Sequence, residues 1–165
     1  MLGENFLRPE YVHVLLNPLP VYGLAVAVVA LMIALLTRKR VALVIALSLI
    51  ALTSLTAWPT YVYGEAAYDR ASAMSDDDGG KWLDEHQARG ERCIFAFYIL
   101  SGLSLLALVA PAKWPASSLP LAGATLVVGI ATLCIGGWIA YAGGRVRHKE
   151  FRAGPPPSAN KGNFD

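Results

Sequence analysis

The sequence predicts an all-α protein, a four-span antiparallel transmembrane helix bundle with an amphipathic helical extension before span three. Three observations predict it. Hydrophobic residues fill 55% of the 165 positions and charged residues only 16%, against about 25% charged in ordinary soluble domains. The apolar residues gather into four blocks, 21–36, 41–57, 93–110 and 121–142, none of which holds an Asp, Glu, Lys or Arg. Mean hydropathy is correspondingly high at +0.46. A spanning helix needs roughly 17–25 predominantly apolar residues, and each block reaches that length alone or with its flank.

Span one is the run VYGLAVAVVALMIALL together with the LLNPLP before it. Pro18 and Pro20 sit near its start, where a missing N–H does little harm. Its flank, MLGENFLRPEYVH, carries two glutamates and one arginine, not the positive n-region of a cleaved signal, so the segment is expected to be retained. The turn TRKR, 37–40, is short enough only for an antiparallel hairpin into span two. That span leaves the apolar block through WPTYVYGEAAYDR. Trp58, Tyr61, Tyr63 and Tyr68 are amphipathic rings suited to a membrane interface, and Pro59 is a candidate kink. Residues 71–80, ASAMSDDDGG, read as an exposed loop with an aspartate capping the next helix. Helix resumes in the amphipathic WLDEHQARGERC and feeds into span three. PAKWPASSLP, 111–120, is a Pro-rich turn into span four. Residues 1–150 form one domain, and 151–165, FRAGPPPSANKGNFD, read as a disordered tail.

With four spans, the termini and the 64–92 loop share one side. The other side carries Arg38, Lys39, Arg40 and Lys113 and no acid, while all twelve Asp and Glu fall on the first. Lys and Arg in short loops favour the cytoplasm, which puts the termini outside, in the periplasm if the membrane is a bacterial inner membrane.

Span four holds the clearest packing pattern. Gly129, Gly136, Ala140 and Gly144 recur on one helical face, and small residues let helices approach closely in lipid. The stripe fits tight packing within the bundle, a seam to a membrane-protein partner or second copy, or room for a flat cofactor. Cys93 and Cys134 lie in or beside apolar blocks and read as small packed hydrophobes.

All three histidines fall on the outer side. His13 precedes span one, His86 precedes span three by two helical turns, and His148 follows span four. Tyr61, Glu65 and Asp69 share a helix face by their spacing of four. An antiparallel bundle brings His13, Glu65 and His86 to one level, each from a different helix. Two imidazoles and a carboxylate can ligate a transition metal, and two imidazoles on neighbouring helices can hold a haem iron. The plain alternatives are a headgroup-level His13, a Glu65 paired with Arg70 or Arg89, and a solvated His86. The run Asp76–Asp77–Asp78 lacks the remaining ligands of a calcium loop, and Arg145, Arg147 and Lys149 disfavour a cation at His148.

The pattern excludes several classes. No ionisable group lies inside the four blocks, so an ion path through one chain is not supported. Ser101 and Ser104 have no histidine at their depth, which leaves no nucleophile–base pair; the core serines and threonines are expected to bond to their own helix carbonyls. A formal charge of +2 and the absence of a DNA-reading motif exclude nucleic acid as a partner. The lipid bilayer is the expected environment.

His13 with Asn17, Pro18 and Pro20, Gly64–Glu65 after span two, His86 before span three, and GGWIAYAGGRV at 136–146 together resemble the DUF2231 type of small four-helix bacterial membrane proteins, a family without an assigned function. The resemblance covers residues 13–146. It departs at His13–Val14, where a histidine–proline pair is expected, and in the longer, more acidic 64–92 loop. It implies a four-span bundle with a histidine near spans one and three and a haem or redox role for them. Two functions follow as expectations: a structural or accessory subunit packing through span four, or an outer-face haem- or metal-binding protein for electron transfer or sensing.

Overall fold

The computed structural model describes residues 7–157, and the expected tail residues 158–165 lie outside them. Six α-helices account for most of the described chain: α1 (Pro9–Leu16), α2 (Leu24–Thr37), α3 (Arg40–Leu55), α4 (Ala57–Ala73), α5 (Asp77–Val109) and α6 (Ser118–Arg147). They join into four long helical runs, Pro9–Thr37, Arg40–Ala73, Asp77–Ala112 and Pro115–Arg147, each long and apolar enough to cross a membrane. The described residues contain no strand.

The first run is interrupted at its prolines. Pro20 has no N–H to give the helix ladder, and the chain passes through a π-turn at Leu19–Gly23, where Gly23 N donates to Pro18 O at 3.3 Å. A π-turn inside a helix marks such an interruption. The second run is interrupted at Thr56, beside Pro59, between α3 and α4. Arg38 ends α2 in the left-handed region, at φ 54°, so two residues suffice to turn the chain into α3.

The core joins all four runs. Leu24 and Leu31 of α2, Ile50 of α3, Leu100 of α5 and Ala122 of α6 are wholly buried in one cluster. Outside it, Val26, Leu36, Val41, Leu52, Phe95 and Val127 are exposed. That pattern places apolar side chains on both the inside and the outside of the fold, as a lipid environment allows. Beyond the core, α1 packs on α4 and α5 packs on α6, while α4 touches α5 along one edge. A cleft lies between these pairs, and Pro20 and Ala57, near the two interruptions, line it.

Three local expectations change. The 71–80 loop shrinks to Met74–Asp76, because α4 runs on to Ala73 and α5 begins at Asp77. Asp76 does cap α5, accepting from Gly79 N at 2.9 Å. The start of the tail is held and not free: Arg145 Nε donates to Phe151 O at 2.6 Å, and Arg152 donates to Arg145 O, Val146 O and Asp76. Finally, Ser101 and Ser104 do not bond within their own helix. They donate to Ala51 O at 3.2 Å and Leu47 O at 2.7 Å on α3, a crossing that close helix approach in α3–α5 permits.

Candidate functional site

The cleft between the α1–α4 and α5–α6 pairs brings His13 and His86 together. Their ring centres are 6.3 Å apart with planes at 79°. α1 carries His13 toward α4, where Nδ1 donates to the Thr60 carbonyl at 2.8 Å. α5 is long: 33 residues at about 1.5 Å each exceed the roughly 30 Å apolar layer of a bilayer. Its first turns therefore project beyond the core and carry His86 beside α6, where Nδ1 donates to the Ile139 carbonyl at 3.0 Å.

A backbone carbonyl can only accept, so each Nδ1 carries a proton, and in the neutral ring Nε2 is then the nitrogen with the free lone pair. Committing one ring nitrogen to a carbonyl is how proteins orient ligating histidines. Both rings also rest on glycine. A Cβ added at Gly64 would lie 2.9 Å from His13, and one at Gly143 would lie 3.0 Å from His86.

The cavity between the pairs is about 140 Å³, and the free space of the cleft counted out to its open side is about 880 Å³. Its walls are mainly small or apolar, with Ala57, Ala67, Gly90, Phe97, Gly136 and Ala140 among them. Polar groups collect on the α4–α5 edge. Glu65 lines the cleft, but its carboxylate accepts from Gln87 Nε2 at 3.0 Å, and Gln87 also reaches Glu91 at 3.2 Å. Beside them the Tyr68 hydroxyl donates to Asp84.

The sequence predicts His13, Glu65 and His86 at one level. The structure brings the two rings together and gives the carboxylate another partner. Among the described residues no group of three His, Cys, Asp or Glu is arranged to hold a metal ion. The expected partners of Glu65 are engaged elsewhere, Arg70 with Glu10 at 3.0 Å and Arg89 with Glu85 at 2.8 Å. His148 stays apart from the pair, bonded to Glu150 and stacked on Phe151. Cys93 and Cys134 are both free thiols.

Of the span-four stripe, Gly129 meets Val28 and Leu100, Gly136 meets Phe97 and Val21, and Ala140 lines the cleft. Gly144 faces the Phe151 ring. The stripe is thus turned into the fold, toward other helices and the cavity. The carbonyls of Thr60 and Ile139, which orient the histidines, went unnoticed in the sequence because a backbone acceptor has no residue type to mark it.

No family model matches the chain, and no curated protein or solved structure matches it.

Proposed function

We propose that the chain is a multi-pass membrane protein, a bundle of four antiparallel spans, in which His13 and His86 would hold a haem that serves electron transfer. The observation that carries this reading is the histidine pair itself, with both Nδ1 atoms committed to backbone carbonyls and ring centres 6.3 Å apart. Imidazole nitrogens bind zinc at about 2.0–2.1 Å, so two rings this close could reach one metal ion between them.

Haem is favoured over a bare ion by the donor count. Two imidazoles without a third His, Cys, Asp or Glu arranged beside them leave a bare transition metal short of ligands. An iron porphyrin brings four nitrogens of its own and asks the protein for two. Small residues along the cleft, Gly90, Gly136 and Ala140 among them, would favour a large apolar ring over a bulky polar ligand. When bound, the group would supply a one-electron couple, with His13 and His86 as the residues that hold it. The chain's own contribution is to hold both imidazoles in one tautomer and to surround them with apolar walls.

Trp58, Trp138 and Tyr141 are exposed around the same end, where interfacial rings belong. With Arg38, Lys39, Arg40 and Lys113 on the cytoplasmic side, the cleft would face the periplasm at the surface of the inner membrane. Membership of the DUF2231 type fits this reading and is proposed with it.

An absorption spectrum with metal analysis of detergent-purified protein tests the function. The expected result is a Soret band with iron near one equivalent, lost in His13→Ala and in His86→Ala. A protein that stays colourless and metal-free after haem reconstitution would sink the redox reading. It would leave an accessory subunit in a membrane assembly, a role for which the inward-facing stripe of span four offers no seam.

A further inference from the structure

We infer that Gly64 and Gly143 are equivalent positioning residues, two copies of one histidine-docking device that fixes the tautomer of each imidazole. The inference rests on the histidine pair being the functional site. Each acceptor carbonyl stands four residues before a glycine: Thr60 before Gly64, and Ile139 before Gly143. In an α-helix the carbonyl of residue i bonds the N–H of residue i+4 and keeps a second lone pair. The side chain at i+4 leans back toward the N-terminus and covers that turn. Glycine at i+4 uncovers it.

The two dockings match atom for atom. A Cβ at Gly64 would meet Cε1 and Nδ1 of His13, both at 2.9 Å, and a Cβ at Gly143 would meet Cε1 and Nδ1 of His86, both at 3.0 Å. In each case the histidine comes from the first long helix of a consecutive pair and the acceptor from the second. His13 and Gly64 are 51 positions apart, His86 and Gly143 57. The extra six positions fall between the α-helices, where 110–117 holds the two 3-10 turns at 110–112 and 115–117 and the first hairpin has only 38–39. From histidine to the last α-helical residue before the connection, and from the first one after it to glycine, the separations are 24 and 24 positions in the first half and 23 and 25 in the second, so the halves agree to within one position. The sequence shows no repeat because the matching parts are one histidine, one glycine and a backbone atom.

Ring-nitrogen NMR of ¹⁵N-histidine protein, prepared without cofactor, tests the device directly. In the unaltered chain both His13 and His86 are expected as the Nδ1–H tautomer. Gly64→Ala should change the tautomer mixture of His13 alone, Gly143→Ala that of His86 alone, and Gly137→Ala, which has open space at its Cβ, neither. In haem-loaded protein each of the first two variants should also lose the six-coordinate spectrum. Nε2–H rings in the unaltered chain overturn the inference whether or not the variants fold, and so do folded alanine variants with unchanged rings. Correct tautomers in a protein that never takes up haem support the docking device and defeat only the cofactor reading.

Discussion

Arg152 reaches back 76 positions to Asp76, its Nη1 donating to Oδ2 at 2.9 Å, and so ties the segment after α6 to the first turn of α5. Asp76 also caps α5 through Oδ1 and receives Lys149 at 3.0 Å. The Arg152 side chain is only 10% exposed, and its other nitrogens serve Arg145 O and Val146 O. Residues 149–152 are thereby held against the start of α5 and the end of α6.

This latch predicts a flat response to pH. Arg152, and after it Lys149, hold the Asp76 carboxyl well below the usual carboxylate range. A lowered folded pKa stabilises above the unfolded value of about 3.9 and is lost only as pH falls through the folded value. Between about pH 5 and pH 8 the latch should therefore hold constant. Asp76→Asn keeps a competent cap, since Asn and Asp cap comparably, but removes the charge. Limited trypsin digestion should then cleave after Lys149 and Arg152 faster than in the unaltered chain. Equal cleavage rates would mean that the ion pairs do not hold the segment.

The inward stripe of span four predicts an asymmetry between adjacent glycines. A Cβ at Gly136 would lie 3.2 Å from Phe97 Cζ, while Gly137 has nothing within 4 Å. Gly136→Leu should overpack the interior and cost about 1–3 kcal/mol or more. Gly137→Ala should be neutral or stabilise by up to about 1 kcal/mol. Thermal unfolding in detergent, paired with size-exclusion chromatography, separates the cases. A Gly136→Leu protein of unchanged stability and altered oligomeric state would place this face on the outside after all.

The four long helices were legible because charge-free runs of membrane length have few other uses. Their junctions were less so. Gly79–Gly80 reads as a loop, since glycine weakens helices. Yet α5 runs through them, because a Cβ at Gly79 would fall 2.6 Å from both Asp76 Oδ1 and Val146 O. That demand comes from α6 and the latch, and no local pattern contains it. His13 and His86 could be placed at one level by counting residues from each span. The partner of Glu65 could not, because Gln87 carries no charge to announce it. The facing of span four was hidden for another reason: a helix that is apolar all round has no polar side to mark its outside.

The serines of the core predict opposite outcomes for one substitution. Ser104 donates to Leu47 O at 2.7 Å across the α3–α5 contact, and Ser104→Ala should cost about 0.5–1.5 kcal/mol. Ser54 is fully buried with no partner for its hydroxyl. Ser54→Ala removes an unmet polar group and should be neutral or mildly stabilising. Unfolding midpoints of the two variants, measured side by side, check the contrast; a Ser54→Ala protein as weakened as Ser104→Ala would show that Ser54 has a partner.

Arg89 offers the sharpest separation of charge from shape. It is 7% exposed, its guanidinium lies 4.1 Å from the Trp138 ring centre, and Nη1 donates to Trp138 O at 2.7 Å. Nε meets Glu85 at 2.8 Å, with the Glu85 side chain 27% exposed. Because Glu85 keeps access to its surroundings, the ion pair itself should contribute under about 1 kcal/mol. The stack and the carbonyl bond to α6 should dominate, since hydrogen bonds from charged groups contribute about 1.5–3 kcal/mol. Glu85→Gln should therefore be mild, and Arg89→Met should be the costlier change by a clear margin. Arg89→Lys keeps the charge but loses the planar face that stacks on tryptophan, and should resemble Arg89→Met more than the unaltered chain. Chemical unfolding in detergent gives all three values. If Arg89→Lys restores stability, charge alone holds α5 to α6 here, and the contact with Trp138 is incidental.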